Sequence, residues 1–250
     1  MVNKGILAIP HECATDPLEA LRRLGGYYAC PKDTQGNRIG PLVGYAGKDS
    51  KGVQMVGEIY ANFAKMEEWP FILKHYLYLL VKEKLGGLEI DCVCGAPLGG
   101  LASATLLSAR LCCRYAFPEK IVTKAKEEGK REEAHFAFSR HGIIKGERVV
   151  IFEDVVNNFT STDDLIRLIT SAGGIVIGIV ALLNRSPFVD SVYTSKLDGV
   201  KLPVISLVRK QIDEWTQDDQ FVADDIAKGN LVTKPKNDWD PLMKAMNLAA

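Results

Sequence analysis

VVIFEDVVNNFTST, residues 149–162, decides the fold. Val149, Val150, Ile151 and Phe152 form an uninterrupted apolar run, the pattern of a short strand buried on both faces. Glu153 and Asp154 follow at its carboxyl end, the edge at which an open parallel sheet presents groups to a ligand. In the loop that follows, Asn157, Asn158, Thr160, Ser161 and Thr162 surround Phe159 with polar side chains. This loop leads into a helix whose first amides suit an anion. An ordinary turn and helix cap would also use Asn, Ser and Thr here. Two adjacent carboxylates directly behind an apolar run are poorly solvated, however, and that placement points to a ligand that holds them. The combination suits a sugar and a phosphate together.

Working outward, strand and helix alternate. Residues 68–85 carry Ile72, Tyr76, Leu79 and Leu80 at amphipathic-helix spacing, and Gly86-Gly87 ends the helix. A strand is predicted from Ile90 to Cys94, then a helix over 101–111, apolar or small almost all round and so packed deep against a sheet. Residues 114–117 and 121–123 are short strand candidates. After the strand at 149–152 comes a helix with Leu165, Leu168, Ile169 and Ala172 on one face, then strands at 175–183 and 202–208. Strands joined by crossover helices imply an α/β fold with a doubly wound parallel sheet. Residues 1–66 break that rhythm with scattered Pro, Gly and aromatic residues, and are read as an N-terminal cap or hood. Residues 67–210 form the core, and 211–250 a charged tail of two short helices.

A chain of 250 residues with 47% hydrophobic content can bury a substantial core. The 31 basic and 31 acidic residues cancel, so no global field draws nucleic acid or anionic lipid. The N-terminus lacks a signal-peptide apolar run, and no transmembrane-length run occurs, which leads us to expect a cytoplasmic protein with no membrane or nucleic-acid partner. Cysteines at 13, 30, 92, 94, 112 and 113 have no CxxC spacing and read as buried, reduced thiols. His11, Cys13 and Cys30 lack a fourth partner for a metal, and His75, His135 and His141 show no metal or triad pattern.

Three further segments bear on chemistry. Cys94-Gly95-Ala96-Pro97-Leu98-Gly99-Gly100 is a glycine-rich turn between strand and helix, without the Walker or GxGxxG spacing. Residues 123–133, TKAKEEGKREE, form a charged run that elsewhere would be a solvated loop. Arg185 stands just past a buried strand, and its guanidinium fork suits a carboxylate or paired carbonyl oxygens.

Together these segments resemble the type I phosphoribosyltransferases, most closely the orotate enzymes. In that family a hydrophobic strand runs into two acids and a Thr/Gly/Ser-rich loop that binds phosphoribosyl diphosphate. Val155, Val156 and Ser161 fit the pattern, while Asn157 and Asn158 stand where Thr is usual and Phe159 where Gly is usual. The turn with Gly95, Gly99 and Gly100 is similar to the loop bearing on diphosphate. With one residue deleted, the charged run is similar to the family's flexible catalytic loop: Lys124 and Lys126 match its lysines and Gly129 its glycine, while Thr123 and Glu128 replace Arg and His. Arg185 matches the base-binding Arg of an Asp-Arg pair, with Asn184 in place of Asp.

The resemblance implies transfer of phosphoribosyl from phosphoribosyl diphosphate to orotate, giving orotidine 5′-monophosphate and diphosphate. Glu153 and Asp154 would hold the ribose, residues Asn158, Phe159, Thr160, Ser161 and Thr162 the 5′-phosphate, and Arg185 with Asn157 the base. Lys124, Lys126 and Asp154 would be the catalytic groups, with Mg²⁺ entering mainly through the substrate and a homodimer as the assembly. Another base, uracil or a purine, and a non-catalytic ligand-sensing regulator of the same fold are the alternatives.

Overall fold

The structure, a computed structural model, describes residues 16–124 and 133–248. In chain order, helix α1 (Pro17–Arg23) starts at Asp16, whose Oδ1 accepts from the amides of Leu18 and Glu19, with Pro17 opening the first turn. Strands β1 (Tyr27–Ala29), β2 (Leu42–Lys48), β3 (Gln54–Gly57) and β4 (Ile59–Ala61) and the single-turn helix α2 (Ala64–Glu67) follow. Helix α3 (Pro70–Leu80) continues into a π-helical turn, Val81–Leu85. Then come β5 (Cys92–Gly95), α4 (Leu101–Leu111), β6 (Arg114–Ala116), β7 (Glu119–Lys124) and β8 (Glu133–Ala137). The core ends with β9 (Arg148–Val156), α5 (Thr160–Ser171), β10 (Ile175–Asn184), β11 (Val192–Thr194) and β12 (Lys201–Arg209). The tail holds α6 (Ala223–Ala227), β13 (Leu231–Val232) and α7 (Trp239–Leu248).

Two compact units result: residues 69–210, and residues up to 68 together with those from 211 onward. In the second, β13 of the tail pairs in parallel with β2, which pairs antiparallel with β3. Leu42, Val56 and Val222 form its small core. Arg38 stitches the two segments together, with Nη1 on Glu58 at 3.0 Å, Nε on Asp225 at 2.8 Å and its guanidinium 4.4 Å from the Phe221 ring centroid. Trp239 donates its Nε1 proton to Gly25 O at 2.7 Å. The tail therefore contributes a strand as well as helices, one that its charge-rich sequence does not advertise.

The unit of residues 69–210 is the α/β core. Its six-stranded sheet runs β11-β12-β10-β9-β5-β6, parallel throughout except for β11 at the edge. Counting the parallel strands in chain order, β6-β5-β9-β10-β12 reads 2-1-3-4-5, a doubly wound order that reverses between β5 and β9. From that seam the chain winds one way through α4 and the other way through α5, and right-handed crossovers place these helices on opposite faces. Val149 and Ile151 join Cys92, Cys94, Ile179 and Ala181 beneath Leu165, Ile166 and Ile169 of α5. Burial at 162, 165, 166 and 169 gives α5 its core stripe, with Ile166 taking the place expected of the exposed Ala172. Helix α4 has the expected bounds, yet buries one face, Ser103, Ala104, Leu107 and Ser108, and exposes Ala102 and Thr105. Small residues on its outer side made it look more deeply packed than it is. Its C-cap, Cys112, is left-handed and exposed, so that thiol is not a core residue.

Glycine is required where α4 begins. A Cβ on Gly100 would lie 2.3 Å from Phe152 O and 3.0 Å from Ala96 N, and Phe152 O also accepts the Ala96 amide at 2.8 Å. The obstruction is backbone and cannot swing away. Gly100→Ala should therefore destabilise the protein by roughly 1–3 kcal/mol, the usual range for overpacking, measured as a lower urea midpoint at unchanged slope.

Candidate active site

Strand β9 runs on through Glu153 and Asp154 to Val156, so both acids lie within the extended strand rather than after it. Successive strand residues point to opposite faces, and the two carboxylates are divided accordingly. Glu153 turns to the α5 side, where its Oε1 accepts the hydroxyls of Ser161 at 2.9 Å and Thr162 at 3.2 Å. Asp154 turns to the α4 side: the Cβ direction of Gly99 points into its carboxylate, with an ideal Cβ only 2.3 Å from Oδ2. Its Oδ1 also accepts the Val155 amide at 2.9 Å. One strand end thus holds two loops, 95–100 and 157–162, on either side of the seam where strand order reverses.

Glu153 is 7% exposed. Burial, reinforced by the neighbouring Asp154 charge, pushes its carboxyl up to about 7, and the two hydroxyl donors only partly offset this.

The loop before α5 is shaped by Phe159. Its backbone is left-handed, φ 59° and ψ 18°, the conformation a glycine would take without cost. The ring is turned into the core, 2% exposed, and stacks on Tyr193 with centroids 4.4 Å apart and planes 7° from parallel. The Tyr193 hydroxyl donates to Asp163 Oδ1, and Lys196 Nζ lies 2.8 Å from the other carboxylate oxygen. Burial and that carboxylate raise the phenol well above its ordinary range, keeping it a donor. Asp163, an acid in the first turn of α5 that would otherwise repel an anion, is thereby compensated. Asn158 Oδ1 accepts the Thr160 amide at 3.3 Å, and Phe159, at the N-cap, offers no side-chain acceptor to the helix amides.

At the end of β10, Asn184 and Arg185 are both buried. Asn184 is an organiser of the next loop: its Nδ2 donates to Val189 O and Asp190 O, and its Oδ1 accepts the Ser186 amide. Arg185 is tied to the seam strand through its amide, which donates to Val156 O at 3.0 Å. Arg209 clamps the same loop, reaching Asn184 O, Ser186 O and Asp190 Oδ1.

Gly95, Gly99, Gly100, Glu153, Asp154, the 157–162 loop and Arg185 therefore share the carboxyl edge of neighbouring strands β5, β9 and β10. Asn157 is half-buried in the turn after β9. Of the two lysines, Lys124 ends β7, paired in register with Glu133 of β8, and Lys126 lies outside the described residues, as do His11 and Cys13. His135 sits on β8 rather than in a loop. Sequence reasoning missed Tyr193, Lys196 and Arg209. The first two stand on or beside a three-residue edge strand too short to show alternation, and Arg209 was hidden at the end of an apolar run. Among the described residues no three His, Cys, Asp or Glu side chains converge as a metal site. The hard oxygens of Asp154, the less buried of the two acids, suit Mg²⁺ when phosphates supply its remaining ligands. No described helix is long and apolar enough to cross a membrane.

Two loops flanking the switch point of a doubly wound sheet stand where open α/β sheets of this order bind their ligands, and that placement defines the class of fold. The orotate phosphoribosyltransferase of Caldanaerobacter subterraneus subsp. tengcongensis is 31% identical over 165 residues, covering 65% of this chain and 75% of that one. The crystal structure of orotate phosphoribosyltransferase from Aeropyrum pernix superimposes with a TM-score of 0.50 at 20% identity, over 79% of this chain and 93% of that one. That of adenine phosphoribosyltransferase from Thermoanaerobacter pseudethanolicus gives 0.50 at 19%, over 77% and 99%. No family model matches the chain. The chain belongs to the type I phosphoribosyltransferase family.

The raised carboxyl of Glu153 has a measurable signature. A folded-state value of about 7 against an ordinary 4.5 means that its contribution to stability is fully present below about pH 4.5 and is lost as pH rises through about 7. Glu153→Gln keeps an oxygen for both hydroxyls and cannot ionise. Relative to the parent, this variant should gain up to about 3 kcal/mol in urea titrations between about pH 4.5 and pH 8, whereas a difference independent of pH would refute the assignment.

Proposed function

We propose that this protein transfers the phosphoribosyl group of phosphoribosyl diphosphate to a nucleobase, with orotate as the base. The observation that carries the reading is the division of Glu153 and Asp154 between the two loops. A sugar lying across the end of β9 meets carboxylates from below, with loop 157–162 beside one end and the glycine turn 95–100 beside the other. Carboxylates accept hydrogen bonds from vicinal ribose hydroxyls in the way Glu153 already accepts Ser161 and Thr162. The amides opening α5 suit the 5′-phosphate, and Gly99 and Gly100 let backbone approach the diphosphate.

In the reaction the bond from the ribose anomeric carbon to the diphosphate oxygen breaks and a bond to a base nitrogen forms, the nitrogen's proton passing to the departing diphosphate or to water. Positive charge grows on the sugar and negative charge on the leaving group. Asp154 and Glu153 sit on the sugar side of that separation; Lys124 and Lys126 are the cations assigned to the diphosphate. Catalysis of this kind is positioning and charge stabilisation. Mg²⁺, entering with the substrate, would offset diphosphate charge, and Asp154 is the carboxylate that would help to hold it. Arg185, bonded through its backbone to the seam strand, is the residue assigned to the base, because a guanidinium fork matches the carboxylate and carbonyl oxygens of orotate. A homodimer belongs to the same proposal.

The direct test is diphosphate release on incubation with phosphoribosyl diphosphate, Mg²⁺ and, in turn, orotate, uracil, adenine, hypoxanthine and guanine. Release with orotate alone supports the reading, release with another base replaces the substrate, and none with any base overturns the activity. Asp154→Asn should lower kcat/KM at least tenfold, about 1.4 kcal/mol, with an unchanged circular dichroism spectrum, because an amide donates where hydroxyl donors need an acceptor. Arg185→Ala should raise KM for orotate far more than KM for phosphoribosyl diphosphate in steady-state kinetics. Equal effects on both would remove Arg185 from the base site.

A further inference from the structure

The loop assigned to the 5′-phosphate adopts its turn with a phenylalanine. An aromatic residue seldom takes positive φ, because its Cβ crowds the backbone, and it does so only when its surroundings hold it there. Phe159 belongs to the buried core cluster of the sheet, where an aromatic partner braces its ring. Its ring lies flat on Tyr193, nearly parallel at 4.4 Å, and both side chains are buried. Tyr193 is itself fixed twice: its strand β11 pairs with β12, with Tyr193 opposite Leu202, and its hydroxyl bonds to Asp163 of α5. Lys196, just past the same strand, holds the other oxygen of that carboxylate. One short edge strand thus grips the phosphate loop at the ring of Phe159 and again at the first turn of the helix.

We propose that Tyr193 is a positioning residue for phosphate binding, holding loop 157–162 in its anion-binding conformation by stacking on Phe159, in place of the conformational freedom a glycine would supply. The inference rests on the phosphoribosyl diphosphate reading. It also makes a prediction that a purely structural role for Tyr193 does not share. If Tyr193 acts only as core filling, deleting the Phe159 ring as well enlarges the void and compounds the damage. If Tyr193 acts by holding Phe159 at positive φ, replacing Phe159 by a residue that needs no holding makes Tyr193 dispensable for binding, even as stability falls further.

The experiment is a double-mutant cycle read by calorimetric titration of phosphoribosyl diphosphate with Mg²⁺ and, in parallel, by thermal melting. Tyr193→Ala should weaken binding more than tenfold. In the Phe159→Gly background the same substitution should cost less than threefold, while the melting temperature of the double variant drops below that of either single variant. Tyr193→Phe, which keeps the stack and loses the hydroxyl, should retain most of the affinity. If Tyr193→Ala does not fold, Tyr193→Leu replaces it, preserving apolar volume without the flat stack. Wild-type binding with equal losses on both backgrounds, or with no loss in either, overturns the inference alone. No binding by the wild type overturns it together with the functional reading, so the two failures are distinguishable.

Discussion

Everything at the carboxyl edge of this sheet depends on one geometric constraint, the alternation of side chains along β9. Because neighbouring residues of a strand face opposite ways, an adjacent pair of acids cannot serve the same loop. Glu153 is drawn beneath α5 and Asp154 toward the turn before α4. The strand lies on one side of the reversal in strand order, so those loops are the two that flank the seam. A single insertion or deletion before Glu153 would exchange the faces and leave each carboxylate opposite a partner built for the other. The absence of any side chain on Gly99 and Gly100 is the complement of this constraint, since the turn must press against Asp154 and the Phe152 carbonyl at once.

The environments on the two faces differ in kind. Glu153 is enclosed and satisfied by two hydroxyls, and burial favours its protonated form. Asp154 is less buried and takes a backbone amide. A proton held on Glu153 by burial lowers the repulsion of setting it beside Asp154. The same economy holds for Asp163, whose negative charge at the mouth of α5 is shared between Tyr193 and Lys196.

Much of this was legible in the sequence because it is written in short-range pattern. Four apolar residues ending in Glu153-Asp154 mark a buried strand with a functional end, and glycine pairs mark turns. The alternation of such units dictates a parallel sheet. The bounds of α4 and the course of β9, β10 and β12 follow from the same periodicities. What was not legible depends on partners remote in the chain. The family pattern, which has Gly at the Phe159 position, marks the turn; what the sequence does not show is the partner that braces an aromatic residue there, Tyr193 on an edge strand only three residues long. Asn184 reads only as a departure from the family's Asp until its side chain is seen to brace residues 186–190. The strand in the tail was invisible because Leu231 and Val232 alone form it, and their partner lies in β2.

The seam between β5 and β9 has a further consequence for how the chain is made. On a ribosome, β5 and the glycine turn emerge early, and β6 can pair with one side of β5 almost at once. The other side stays open until β9 arrives, for Cys92 must wait for Val149. Throughout that interval the nascent chain carries an unpaired, apolar parallel edge, CVCG, of the sort that sticks to other chains. Closing it is a long-range event, slow by comparison with local helix formation. Until residues 148–156 are free, nascent chains would therefore carry this exposed edge, and the gap that β9 closes is the one across which the two loops later meet.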